Sequence, residues 1–335
     1  MLKKQIKLFI AIGILLILII VSYNYSIKNV VEPIYSHDER FSNYIVADGI
    51  DVSTFQGKNI DWKKVKHSGV DFVMIRASYR GSSNGEIKND DTFTENIKGA
   101  NEAGIMTGAY IFSQAVTKKE AREEAKHLLR EVEAYKITMP LVIDYEFIEG
   151  GRLYNAINSK ELSTSDVTDI CLAFCDTIKD AGYEPMVYGN ANFLLTNHDT
   201  VRLEANSLIW LAHYTEKTNY GGIYNFWQCS DHSAVKGINE NVDKDFWYIN
   251  TDSQKDATGN NISINDFEPE LKDDSFLYLG RAIKPKVDCA PLIEGEDFMI
   301  SYIKNTSSGT GYAIVDGIGN YTGRAILDFE INSLF

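Results

Sequence analysis

The chain reads as an α/β protein: an irregular TIM-like (β/α) barrel of about eight strands, preceded by a transmembrane helix and followed by a small all-β sandwich. Three observations predict this. A charge-free apolar run opens the sequence, residues 48–249 alternate short apolar stretches with amphipathic ones, and residues beyond 265 return to short β-type runs punctuated by Gly and Asn. The expected boundaries are 1–24 for a cytoplasmic stub and transmembrane signal-anchor, 25–46 for a linker, 47–250 for the barrel, 251–264 for a second linker and 265–335 for the sandwich.

The anchor rests on the first residues. After Lys3, Lys4 and Lys7 comes LFIAIGILLILIIVSY, Leu8 to Tyr23, with no charge, and about 20 apolar residues span a bilayer core. The following SYNYSIKNV offers no A-x-A cleavage pattern, which favours an uncleaved anchor over a signal peptide. Lysines ahead of the run place the N-terminus in the cytoplasm. The expected localisation is therefore the cell membrane, single-pass with the barrel extracellular, and secretion after cleavage is the alternative.

The barrel strands are expected at 49–54, 72–78, 107–113, 141–147, 185–190, 208–214, 225–230 and 241–248. Helices are expected at 60–68, 91–103, 118–135 and 163–181, the last with Ser163 or Thr164 as its N-cap and Gly182 as its stop. Later connections are short and rich in Gly and Asn, so helices should lapse there and leave the second half irregular. The tail runs FLYLGRAI, FMISYI, GYAIVDGI and AILDFEI carry the sandwich pattern.

Composition excludes several function classes. A net charge of −14 over 335 residues argues against nucleic acid as a partner, since phosphate binding needs a basic surface. The tail is no basic patch either, with 6 Lys and Arg against 12 Asp and Glu. Six histidines, at 37, 67, 127, 198, 213 and 232, show no metal-ligand spacing, which disfavours a zinc amidase. Four cysteines, Cys171, Cys175, Cys229 and Cys289, form no disulfide framework and read as free core thiols. No cofactor is expected, and the part outside the membrane should be monomeric.

The chemistry sits in MPLVIDYEF, Met139 to Phe147, where a buried-looking strand ends in Asp144 and Glu146. Residues i and i+2 of a strand share a face, and at the C-terminal end of a barrel strand that face is the mouth where active sites form. Asp51 in DGIDVS and Asp243 in NENVDKD lie at other strand ends. Four carboxylates converging there raise one another's pKa and keep a general acid protonated near neutrality. That is glycosidase chemistry.

Aromatic residues Tyr110, Tyr145, Tyr188, Trp210, Tyr214 and Trp227 lie on or near the same strands. Flat rings stack on sugar faces, with core packing the competing role at any one position. Tyr110, Tyr188, Trp210, Tyr214 and Trp227, with Gln228 beside them, are the expected substrate-binding set.

The stretches DGIDVSTFQGKNIDWKKVKHSGVDFVMIRAS, GIMTGAYIFSQA, MPLVIDYE, EPMVYGN, LIWLAHY and NFWQCSDHSAVKGINENVD resemble, in family order, the motifs of glycoside hydrolase family 25, the Chalaropsis-type lysozymes or N-acetylmuramidases. The resemblance covers 48–248. It implies a modified (β/α) barrel that hydrolyses the β-1,4 bond between N-acetylmuramic acid and N-acetylglucosamine in peptidoglycan. Carried over motif by motif, Glu146 is the general acid and Asp144 its partner carboxylate, either orienting the 2-acetamido group or stabilising an oxocarbenium-like state. Asp51 and Asp243 complete the catalytic set.

Cys229 stands where that family has an aromatic residue and His213 where a glutamine is frequent, which touches subsite detail only. The tail resembles bacterial Ig-like surface modules, most clearly in GIGNYTG, and that implies a spacer or adhesion role. The implied partners are peptidoglycan and, through the anchor, the cell membrane. Two other readings stand beside the lysozyme: a non-catalytic peptidoglycan-binding surface protein, and a hydrolase of another N-acetylated glycan such as chitin.

Overall fold

A computed structural model describes residues 33–250 and 262–333. From Ser36 onward the described chain forms one compact unit. Its first nine strands are β1 (Tyr44–Val52), β2 (Phe72–Arg80), β3 (Ile87–Asn89), β4 (Met106–Ser113), β5 (Leu141–Tyr145), β6 (Pro185–Asn190), β7 (Leu208–Ala212), β8 (Phe226–Ser233) and β9 (Val242–Asn250). They pair in the order β1-β9-β8-β7-β6-β5-β4-β2, and a parallel β1–β2 pairing closes the ring, with β3 a short hairpin partner of β2. All eight expected barrel strands are present.

Seven helices are described in this region: α1 (Trp62–His67), α2 (Phe93–Ala103), α3 (Lys118–Val132), α4 (Arg152–Asn158), α5 (Thr164–Asp180), α6 (Ala191–Asn197) and α7 (Thr200–Glu204). Side chains of Asp61, Thr117, Ser163, Asn190 and Asp199 accept first-turn N–H groups, and Ser163 with Asp166 forms a reciprocal capping box. Gly104 ends α2 at φ 74°, a left-handed position where only Gly avoids a Cβ penalty. The irregularity expected of the second half is real: β7 and β8 are joined without a helix, and β9 runs antiparallel to both neighbours.

The tail contributes β10 (Ile262–Ser263), β11 (Glu270–Leu271), β12 (Ser275–Leu277), β13 (Val287–Asp288), β14 (Phe298–Ile303), β15 (Gly309–Gly317), β16 (Tyr321–Thr322) and β17 (Arg324–Asn332). Only β12, β17, β15 and β14 build a sheet of four, while β10–β16 and β11–β13 are two-stranded pairings. Side chains alternate across that sheet as a strand period of two requires. Ile303, Tyr312, Ile314 and Ile326 join the barrel core, whereas Ala313, Val315, Ala325 and Leu327 face a second core with Ile264, Phe267, Val287 and Cys289. The expected Ig-like sandwich is not shown, because the second layer is made of turns and two-residue pairings and the first face is spent on the barrel.

That packing seals the foot of the barrel, the N-terminal end of its parallel strands. Ile45, Phe72, Met106, Phe226 and Trp247 share one buried cluster with Ile303 and Ile314. Around it, the Lys304 backbone N–H donates to Asp71 (2.7 Å), and Lys66 and Lys136 donate to the carbonyls of Tyr302 and Ile300 (3.2 and 3.1 Å). Lys66 and Asp71 are both 3% exposed and 3.9 Å apart, so neither charge is left alone in the interior. All four cysteines are free and buried.

The localisation expected from the sequence is corrected. No helix among the described residues is long and apolar enough to cross a membrane; the longest, α5, has 17 residues and carries Asp, Thr, Ser and Lys among its apolar positions. The apolar run 8–23 and most of the linker 251–264 lie outside the described residues.

Because barrel and tail share one core, Ile314→Ala should destabilise the whole unit. A buried Ile-to-Ala truncation costs about 2–5 kcal/mol, and chemical denaturation followed by barrel tryptophan fluorescence and by far-UV dichroism should show one shifted transition. Two separate transitions, only one of them shifted, would contradict a shared core.

Candidate active site

The strand ends opposite the foot open into a cleft of about 240 Å3 lined by Asp51, Ser53, Phe55, Gln56, Arg76, Tyr110, Phe112, Asp144, Glu146, Tyr188, Trp210, Tyr214, Gln228 and Asp243. Backbone register puts them at matching heights. Phe112, Asp144, Tyr188 and Trp210 are successive partners across β4, β5, β6 and β7, and Asp51 on β1 is directly opposite Asp243 on β9. Like charges directly opposite one another destabilise a ladder, so this pairing is a sign of use rather than of folding.

Asp144 is on β5, while Glu146 is one residue past its end and only partly covered. The expected strand therefore stops two residues early. Its alternation still holds, since Tyr145 between the acids turns outward, is fully buried and donates to the Ala115 carbonyl (2.7 Å). Gln114 donates to the Glu146 carbonyl (2.8 Å) and fixes the chain as it leaves the strand.

Gln228 is the hub of the other wall. Its Nε2 donates to Asp51 Oδ2 (2.6 Å), and its Oε1 accepts from the hydroxyls of Tyr188 (2.8 Å) and Tyr214 (3.0 Å). Two phenol donors fix which end of the amide is oxygen, and that in turn aims the N–H at Asp51.

Electrostatics follow from burial. Asp51 is raised well above the usual carboxylate range by burial, then by Asp243 and Asp245; Asp144 likewise by burial and then by Glu146. Burial also raises Glu146, and it pushes Asp243 up to about 6. The single cation in the lining is Arg76, whose Nε donates to Asp90 (2.8 Å) and whose charge draws Asp144 down.

Most of the expected site residues come together: Asp51, Asp144, Glu146, Asp243, Tyr110, Tyr188, Trp210, Tyr214 and Gln228 all line the cleft. Trp227 does not. It is buried with its indole N–H donated to the His213 carbonyl (2.8 Å) and its ring against Phe246. His213 bonds Thr218 and Cys229 the Lys244 carbonyl, so neither departure from the family pattern reaches the cleft lining.

Arg76 and Phe55 were missed. A charge inside the otherwise buried run FVMIRAS was a usable signal for Arg76. Phe55 is 75% exposed at the rim with the Arg76 guanidinium 5.5 Å from its ring centre, a place no periodicity reveals.

A closed eight-stranded barrel with helices outside and clustered acids at its C-terminal mouth is the architecture of a glycoside hydrolase. Residues 50–238, more than half of the chain, match the family described as Glycosyl hydrolases family 25, and the chain belongs to that family. The uncharacterized protein YegX of Escherichia coli K12 is 31% identical over 214 residues, 63% of this chain and 73% of that one. Lysozyme M1 of Streptomyces globisporus is 28% identical over 207 residues, 59% and 66% of the two chains. Among solved structures, the modular autolysin LytC of Streptococcus pneumoniae, in complex with a synthetic peptidoglycan ligand, is 28% identical with a TM-score of 0.51; the match covers 61% of this chain and 47% of that one.

The raised pKa of Asp243 has a stability consequence. Asp243 binds its proton more tightly in the fold than in the unfolded chain, where its value is near 3.9, so ionising it between about pH 4 and 6 weakens the fold and the loss persists above. Asp243→Asn should therefore melt higher than the wild type near pH 7 and at the same temperature near pH 3, in parallel thermal scans. Equal melting at both would remove the burial argument.

Proposed function

We propose that the protein is a cell-wall lysozyme that hydrolyses the β-1,4 bond between N-acetylmuramic acid and N-acetylglucosamine in peptidoglycan. The observation that carries the reading is the meeting of Asp51, Asp144, Glu146 and Asp243 in one cleft. Its family, the likeness to Lysozyme M1 and the peptidoglycan ligand bound by LytC support the substrate. Catalysis belongs to residues 47–250, and residues 265–335 buttress that barrel.

Glu146 is the general acid. Burial raises its carboxyl group against the hydrogen bond from Asp144 that lowers it, and its position past the strand end leaves it reachable by the leaving glycosidic oxygen. Asp144 is deeper, with Oδ1 free of any donor among the described residues; burial and then Glu146 raise it, and Arg76 opposes them. It faces the positive charge that develops on the sugar, or the acetamido group that would neutralise it. Asp51 and Asp243 position the sugar on the far wall, and Tyr110, Tyr188, Trp210, Tyr214 and Gln228 give that wall its shape and its hydrogen bonds.

The test is release of reducing ends from purified peptidoglycan with mass spectrometry of the products. Glu146→Gln should lower the rate by about 10²–10⁴-fold, and Asp144→Asn by a comparable factor, with products ending in reducing N-acetylmuramic acid. Wall binding without release would make this a non-catalytic binding protein, and preferential cleavage of chitin oligomers would change the substrate.

A further inference from the structure

One buried acid has no part in the chemistry described above. Asp245, on β9 two residues after Asp243, is fully buried. In register it faces Gly49, where the Phe72 ring takes the space a side chain would fill, and two positions along the ladder, on the same face, Asp243 pairs with Asp51. Its Oδ1 accepts from the Trp210 indole N–H (2.8 Å), while Oδ2 meets no N–H or hydroxyl donor. Asp51 shares that face, diagonal to Asp245 across the β1–β9 ladder.

Two carboxyl groups form a hydrogen bond only when a proton lies between them. The charged and polar groups facing Asp245 are Asp51 from β1, Trp210 from β7, and Asp243 and Lys244 from its own strand; Gln228 from β8 pairs with it in register. Lys244 directs its ammonium towards Asp48 (3.6 Å). Burial and Asp243 raise Asp245 more than the charge of Lys244 draws it down, and burying a carboxylate as an anion is expensive.

We infer that Asp245 is a positioning residue that shares one proton with Asp51 and thereby holds the Asp51 carboxyl group towards the cleft. Gln228 grips one oxygen of Asp51 from β8, and Asp245 grips the group from β9. The proton stays within the pair, so nothing is consumed or released in turnover. Burial raises both groups, the direction that favours a retained proton. The inference rests on the muramidase reading only for what Asp51 positions.

The experiment is carbon NMR of the whole chain labelled at aspartate carboxyl carbons, with peptidoglycan hydrolysis measured on the same samples. The wild type should show a neutral aspartic acid signal near pH 7 that is missing in both Asp245→Asn and Asp51→Asn. Asparagine can still donate to or accept from Asp51, so Asp245→Asn should turn over substrate at least about tenfold faster than Asp245→Val. Persistence of every neutral signal in Asp245→Asn, or equal rates in the Asn and Val variants, would overturn the inference. A wild type inactive on peptidoglycan would count against the muramidase reading, and the carboxyl signal would still decide this one.

Discussion

Carboxyl groups gathered at one end of a barrel repel each other, and the neighbouring side chains are arranged around that repulsion. Two unit charges about 4 Å apart repel by about 4 kcal/mol at an effective dielectric near 20, against a net stability of about 5–15 kcal/mol for a whole domain. Several such pairs could not all be ionised at once. The fold answers with carboxyl pKa values raised by burial, with the amide of Gln228 and the indole of Trp210 as donors, and with the one guanidinium of Arg76 in the cleft lining. A protonated acid at neutral pH is what hydrolysis of a glycosidic bond requires, so the cost and the function have one origin.

The foot of the barrel makes that cost bearable. The site end is polar and self-repelling, while the opposite end is closed by Phe72, Phe226, Trp247, Ile303 and Ile314 in a continuous apolar core. A barrel open at the foot would expose these rings to water. The tail sheet therefore acts as part of the barrel, alternating one face into the barrel core and the other into its own. A role as a detached spacer does not follow from such packing.

Sequence reading carried the eight strands and four main helices because apolar periodicity and caps are local signals. It also carried the four acids, because a charge at the end of a buried strand is conspicuous without knowledge of its neighbours. It could not show that Gln228 and Asp51, separated by 177 positions, are hydrogen-bonded. Trp227 was misplaced for a related reason: its neighbour Gln228 faces the cleft, so the period of two turns Trp227 outward. The sandwich expected of the tail depended on what lies opposite one sheet, and short runs of alternating residues look the same whether that partner is a second sheet or a barrel.

Asp245 shows the limit most clearly. Spacing two residues from Asp243 had little meaning in a chain with 47 acidic residues, and the same pattern recurs at exposed positions such as Glu294 and Glu296. What distinguishes Asp245 is the antiparallel turn of β9, which sets it beside Gly49 and diagonal to Asp51. A parallel strand in that place would have brought its own βα loop to the mouth. The reversed strand instead brings two acids from one segment against the end of β1, one at the cleft and one beneath it, and the lower can hold the proton that lets the upper wall stay in place.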